Sequence, residues 1–294
     1  MTSTLYLADT IATMNARNEV LTAGAVLVTN KSIAAIGSAA SLKSQYPGAT
    51  VVNLENSLLM PGLVNSHAHT PMTLVRGAGD GLPLMDWLTK VMWPREGQMT
   101  PEDALWGMRL GAAEMLLAGV TSTCEMYLYE DAIVEAATEI GIRLAITPGI
   151  ISAVHGTSLA AVDNRINEIS EFHSQHHDPE SLITVGFGPH SAYDLPLNVC
   201  SEIASAAQDL QALLHIHVCE TETEGATLEA QNGGRSTVQL LSDHGVFDGR
   251  VLAAHSVWLD NVDIETFAQK DVRVAHCPVS NMKLASGSAP IASM

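Results

Sequence analysis

The sequence predicts an α/β chain whose main part is a (β/α)8 barrel lacking its eighth strand. Three observations carry this. From Leu58 onward, short and nearly continuous apolar runs alternate with amphipathic segments, the pattern of parallel strands buried on both faces and joined by helices. Seven such units can be counted, and the 237 residues from Leu58 to the end approach the roughly 250 of a closed barrel. No Gly-x-Gly-x-x-Gly follows the first strand, which sets aside an open, doubly wound sheet.

Residues 1–57 read as a separate, β-rich N-terminal part. The runs STLYLADTIATM, VLTAGAVLVTNKSIAAIG and TVVNL favour strands, break at Asn15–Asn18, Thr29–Ser32 and Gly37, and show no helical period. In the second part, 58–294, the predicted strands are LLMPGLVNS, VTSTCEM, IRLAITPG, LITVGFG, ALLHIHV, VLAAHSV and VRVAHC. The segments between them carry helix punctuation. Thr100-Pro101-Glu102-Asp103 supplies an N-cap, a proline in the first turn and a capping carboxylate, with Gly119 as the stop. Glu130 to Ile140 stops at Gly141, and Ser236 to His244 stops at Gly245.

Composition narrows the function. The 294 residues are 47% hydrophobic and 16% charged, enough to bury a core, and 14 basic against 32 acidic residues give a formal charge of −18. An acidic chain lacks the basic footprint that nucleic acids and anionic membranes require, so neither is an expected partner. The N-terminus shows no basic, then apolar, leader pattern, and no run approaches the roughly 18 apolar residues of a membrane span. Cys124, Cys200, Cys219 and Cys277 form no CxxC pair, which fits a reducing, cytoplasmic setting.

The twelve histidines carry the chemistry. Several end apolar runs, at the C-terminal face where barrels of this kind place their active sites. His67 and His69 close the first strand at i and i+2, so both imidazoles project to one side and can reach one metal ion. His217, closing the fifth strand, is a third candidate ligand, while His215 points inward one pleat deeper. Glu220, three residues beyond His217, is either a proton shuttle beside the metal or a solvated loop carboxylate. His190, His255 and His276 end the fourth, sixth and seventh strands. Histidines at equivalent places in successive units point to one shared site.

The segments LLMPGLVNSHAHT, LHIHVCET, AAHSVW and HCPVSNMKLASG together resemble the amidohydrolase superfamily. The branch they resemble holds the 5′-methylthioadenosine/S-adenosylhomocysteine deaminases and the related triazine chlorohydrolases. The resemblance runs over residues 1–294, and PMTLVRGAGDGLPLMDWL and VMWPREGQMTPEDA are most similar to the adenosine-type deaminases. It implies a metal-dependent hydrolase barrel, with residues 1–57 as half of a small β-sandwich. It implies that His67, His69 and His217 bind one divalent metal, usually Zn²⁺ with Fe²⁺ or Mn²⁺ as substitutes, and that Glu220 shuttles the proton. His255 would stand by the attacking water and the leaving group, His190 would bond the purine, and Glu96 would accept the two ribose hydroxyls. The implied substrate is a purine nucleoside, and the implied assembly a homo-oligomer. His190 at the end of the fourth strand, where a lysine would be carbamylated, implies a mononuclear site. Arg165 does not align with the arginine the family places after the third strand for the substrate tail.

The resemblance also implies an aspartate ligand at the end of an eighth strand, after KLASGSAPIASM. Asp260 and Asp271 are misplaced for it, so the 294-residue chain alone is expected to be poorly soluble and nearly inactive. Two other functions compete with nucleoside deamination. One is a chlorohydrolase or aminohydrolase acting on a triazine or another heterocycle, from which a ribose-binding Glu96 would distinguish it. The other is a non-catalytic fragment.

Overall fold

β1 (Ser3–Ala12) lies inside a four-stranded sheet. It pairs antiparallel with β2 (Val20–Thr29) and parallel with β4 (Thr50–Leu59), and β3 (Ser32–Ser38) extends the sheet beyond β2. The computed structural model describes residues 2–294. Alternation along the strands puts Leu5, Leu7, Ala25 and Leu27 in one apolar cluster and Ala8, Ile11 and Val26 in another. One helix here, Ala39–Gln45, was not expected from the sequence. Ser38 caps it by accepting from Ser41 N–H, and Leu42 is its one buried residue. A single apolar anchor leaves no periodicity to read.

This sheet belongs to a compact unit that ends at Leu63; Val64–Met294 is a second unit. The run Leu58–Ser66, read from the sequence as one strand, is divided. Leu58 and Leu59 finish β4, Pro61-Gly62 interrupts the pairing, and β5 (Leu63–Ala68) starts afresh. Proline has no N–H to give to a ladder.

The strands that follow confirm an α/β chain. β6 (Val120–Glu125), β7 (Arg143–Ile146) and β9 (Ile183–Val185) continue the sheet from β5, with β6, β7 and β9 pairing in parallel. β8 (Gly149–Ile150) and β10 (Gly188–Pro189) pair in parallel beyond them. β11 (Leu213–Val218), β12 (Arg250–His255) and β13 (Arg273–Ala275) form a further parallel set. Single bridges from Phe187 to Leu214 and from Ser191 to His217 connect the segment around β10 to β11 and so link these groups. Two glycines permit this approach. A Cβ on Gly186 would overlap the Leu213 carbonyl, and one on Gly188 the Thr147 carbonyl.

Helices cover the outer face. Pro101–Leu117 begins with the expected capping box between Thr100 and Asp103, and Glu130–Ile140 ends at Gly141 in the left-handed conformation. Phe187, Leu214, Ile216 and Val218 pack with Val199 and Ile203 of the Leu197–Asp209 helix. Among the described residues, no helix is long and apolar enough to cross a membrane. Side chains from opposite ends of the strand order meet: the His67 ring is 4.8 Å from that of His217 and 5.2 Å from that of His255. The sheet therefore curls until β5 faces β11 and β12.

Candidate active site

The C-terminal ends of these strands enclose a cavity of about 290 Å³. His67, His69, Glu96, His190, His217, Glu220 and His255 all line it. Around them stand apolar side chains, among them Trp87, Leu88, Trp93, Met126 and Ile151. The sequence-derived candidates thus come together although His67 and His255, the first and last of them, are 188 positions apart in the chain. His276 does not join them. β13 ends at Ala275, leaving His276 exposed, and the next residue, Cys277, lines the cavity in its place. Arg165 is also spent elsewhere, nearly buried in ion pairs with Glu130 at 2.9 Å and Glu168 at 3.1 Å.

Ligand atoms of His67, His69 and His217 lie within 4.8 Å of one another; His67, His255 and Cys277 form an overlapping group. Hydrogen bonds settle what two of the first three offer. His69 Nδ1 donates to the Met126 carbonyl at 2.5 Å, and His217 Nδ1 donates to the His190 carbonyl at 2.8 Å. A carbonyl only accepts, so both protons sit on Nδ1 and both Nε2 atoms are bare. These Nε2 atoms face each other at 3.3 Å. Burial pushes His69 down to about 4 and His217 well below its ordinary value, so both rings are neutral at pH 7.

Two bare nitrogens at that distance repel unless a cation lies between them. Nitrogens bound at about 2.0–2.1 Å to a tetrahedral ion stand about 3.3 Å apart, so this pair fits a divalent metal such as zinc. His67 Nδ1 is occupied by His215 Nε2 at 2.8 Å, which leaves Nε2 as the nitrogen it can present. Burial pushes His67 down as well, with the neighbouring imidazoles adding to the effect.

Glu220 follows β11 on a turn in which Cys219 is left-handed, with φ 49°. The turn is held from behind by Glu224, whose carboxylate accepts from Cys219 N–H and Glu220 N–H at 2.9 Å and from Thr221 N–H at 3.3 Å. Burial, with the Glu224 charge behind it, pushes the Glu220 carboxyl up to about 8. One of its oxygens lies 3.6 Å from His255 Nδ1. His255 ends β12 in the left-handed region, φ 71°, and its Nδ1 bonds Asn281 Oδ1 at 2.8 Å. A non-glycine residue held there stores roughly 1–3 kcal/mol of strain, as functional sites often do. Burial pushes His255 down to about 4.

His190 has Asp194 3.4 Å from its Nδ1. Burial raises the Asp194 carboxyl, but bonds from His190 and from Ser152 outweigh this and hold it below its usual range. Burial pushes Glu96 up, opposed by the nearby Tyr127 hydroxyl. Sequence reasoning did not single out Tyr127, Tyr193, Asp194, Glu224, Cys277 or Asn281. Of these, only Glu224 had a local signal, as the third residue of a capping box that opens at Thr221.

Glu125 at the end of β6 was missed too. It is fully buried, accepts from Thr70 N–H at 2.6 Å, and burial pushes its carboxyl up to about 7. The folded protein keeps this proton up to about pH 7, whereas the unfolded chain releases it near 4.3. Its contribution is therefore whole below about pH 4 and is lost as pH rises through 7, a change of about 3 kcal/mol. In metal-free protein, Glu125→Gln should remove that change. Urea unfolding of both proteins at pH 5 and pH 8 checks it, and an equal pH response in the two would show that Glu125 is ionised in the fold.

The amidohydrolase family profile matches residues 58–294. The chain is 36% identical over 291 residues to the 5-methylthioadenosine/S-adenosylhomocysteine deaminase of Pelotomaculum thermopropionicum, covering 99% of this chain and 66% of that one. It is 39% identical over 243 residues to the 5'-deoxyadenosine deaminase of Methanopyrus kandleri, covering 82% of this chain and 55% of that one. The crystal structure of an adenosine deaminase from Xanthomonas campestris with bound zinc matches with TM-score 0.87 at 32% identity, over 99% of this chain and 66% of that one. The chain thus spans between about half and two thirds of the length of these relatives.

Proposed function

The chain belongs to the amidohydrolase family, and from that premise we propose that its cavity serves the hydrolytic deamination of an adenine nucleoside, releasing ammonia. The substrates in view are adenosine and its 5′-deoxy, 5′-methylthio and S-homocysteinyl forms. We read the successive parallel strands as seven units of a (β/α)8 barrel, with the domain starting near Leu58, and the N-terminal sheet as part of a small β-sandwich. The observation that carries the function is the facing pair of bare imidazole nitrogens, with a proton-holding carboxyl on the same cavity wall.

His67, His69 and His217 would hold one divalent ion, with zinc the first choice from the nitrogen donors. When bound, that ion supplies Lewis-acid activation of the attacking water. Glu220 gives its proton to N1 of the adenine ring, and the carboxylate so formed takes one from the attacking water. The water oxygen bonds C6, its remaining proton passes to the amine, the C6–amine bond breaks, and ammonia leaves as C6 becomes a carbonyl. His255, with its Nδ1 proton turned to Asn281, presents Nε2 to the water and the departing amine. His190, steadied by Asp194, hydrogen-bonds the purine. The apolar residues exclude bulk water, which strengthens each polar contact inside.

Glu96 on the cavity wall favours a nucleoside over a triazine, because a carboxylate suits two vicinal hydroxyls and a triazine has none. Hydrogen bonds to a charged group contribute about 1.5–3 kcal/mol, so Glu96→Ala should lower kcat/KM for adenosine by about 10–100-fold. The same change should leave a substrate analogue without ribose hydroxyls nearly unaffected. Ammonia release by the zinc-loaded protein as its gene encodes it measures both. Turnover of a chlorotriazine with none of any adenine nucleoside would reject the proposal.

A further inference from the structure

A row of hydrogen bonds runs behind His67, out of reach of the cavity. His67 Nδ1 meets His215 Nε2 at 2.8 Å, and His215 Nδ1 meets Thr147 Oγ1 at 3.0 Å. The Thr147 hydroxyl donates to the Glu125 carbonyl at 3.1 Å. His215 and Thr147 are fully buried, and neither lines the cavity. The row links β5, β6, the end of β7 and β11.

Its direction follows from the far end. With the Thr147 proton on the Glu125 carbonyl, the Thr147 oxygen is an acceptor, so His215 carries its proton on Nδ1. A neutral imidazole with Nδ1–H has a bare Nε2. That nitrogen accepts from His67, which must then hold its own proton on Nδ1 and leave Nε2 bare toward His69 and His217. Reversal of the row would put a proton on His67 Nε2, aimed into the group. The Cys124 thiol, 3.5 Å from His215 Nδ1, is the competing partner. It is farther away than the Thr147 oxygen and a weaker hydrogen-bonding group.

We propose that Thr147 and His215 are positioning residues that hold His67 in its Nδ1–H tautomer and so make its Nε2 a ligand for a divalent cation. The proposal rests on the three-histidine metal site proposed above. Partners behind a ligand histidine typically account for 10–100-fold in metal affinity.

Thr147→Val keeps the shape and removes the acceptor; Thr147→Ser keeps the acceptor. Zinc affinity by chelator competition, and the ring ¹⁵N shifts of His67 and His215, are measured in the wild type and both variants. Thr147→Val should bind zinc about 10–100-fold more weakly, with His215 shifted toward Nε2–H, while Thr147→Ser should match the wild type. Wild-type affinity in Thr147→Val with His67 still protonated on Nδ1 would overturn the proposal. Thr147→Ala, which removes the acceptor without crowding, serves if the valine variant fails to fold. His67→Ala separates the two levels. If it too keeps wild-type zinc affinity, the metal site itself is wrong; if it loses zinc while Thr147→Val and Thr147→Ala do not, only the row is.

Discussion

Glu220→Gln should lower deamination by about 10²–10⁴-fold and leave the zinc content of the protein unchanged. Glutamine matches glutamate in shape, and the turn it occupies is fixed through main-chain N–H groups on Glu224, which the substitution leaves in place. Only the transferable proton disappears. The environment prepares that proton: burial and the Glu224 charge push the Glu220 carboxyl up to about 8, so the group is an acid at neutral pH and can protonate a ring nitrogen. Rate and zinc stoichiometry together decide the role. A loss of zinc equal to that of a ligand variant would make Glu220 a ligand. Full activity would remove it from the reaction.

Parts of this site can be read from spacing and parts cannot, and the division has a physical cause. His67 with His69 is a two-residue period on one strand, a local property that fixes a shared side. Glu220 lies three residues past His217, again local. His255 and Asn281 are 26 positions apart, and Thr147 lies 68 from His215; such pairs exist only once the sheet has curled. Period says which side of a strand a residue takes, but not where that strand stops. His276 is lost from the cavity for that reason, because β13 ends one residue before it and the chain turns into the helix Pro278–Lys283. Leu58–Ser66 shows the same limit, with a proline inside one apolar run dividing it between two strands. Hydrophobicity alone cannot register that missing N–H.

His217→Ala should remove most of the response of the protein to zinc. The His217 Nδ1 bond to the His190 carbonyl and the His69 Nδ1 bond to the Met126 carbonyl aim two bare Nε2 atoms at each other across 3.3 Å. The folded protein keeps this repulsive arrangement, and a bound cation relieves it. Zinc should therefore bind the fold and not the unfolded chain. At 100 times its Kd, such a ligand stabilises by about 2.7 kcal/mol. That corresponds to a rise in Tm of about 5–10 °C for a domain of 150–250 residues. Alanine removes one of three ligands and should weaken zinc by more than the 10–100-fold that an outer partner accounts for. At the same zinc concentration the variant's Tm should rise by no more than about 1–2 °C. The zinc-induced shift is the proper readout, because emptying a buried site lowers the Tm of metal-free protein by itself. Metal-free His217→Ala has also lost the facing nitrogen, so it should fall less than a buried truncation of that size otherwise would. Equal zinc-induced shifts in wild type and variant would place the cation elsewhere, and His69 and His217 would then be only two neutral rings in contact.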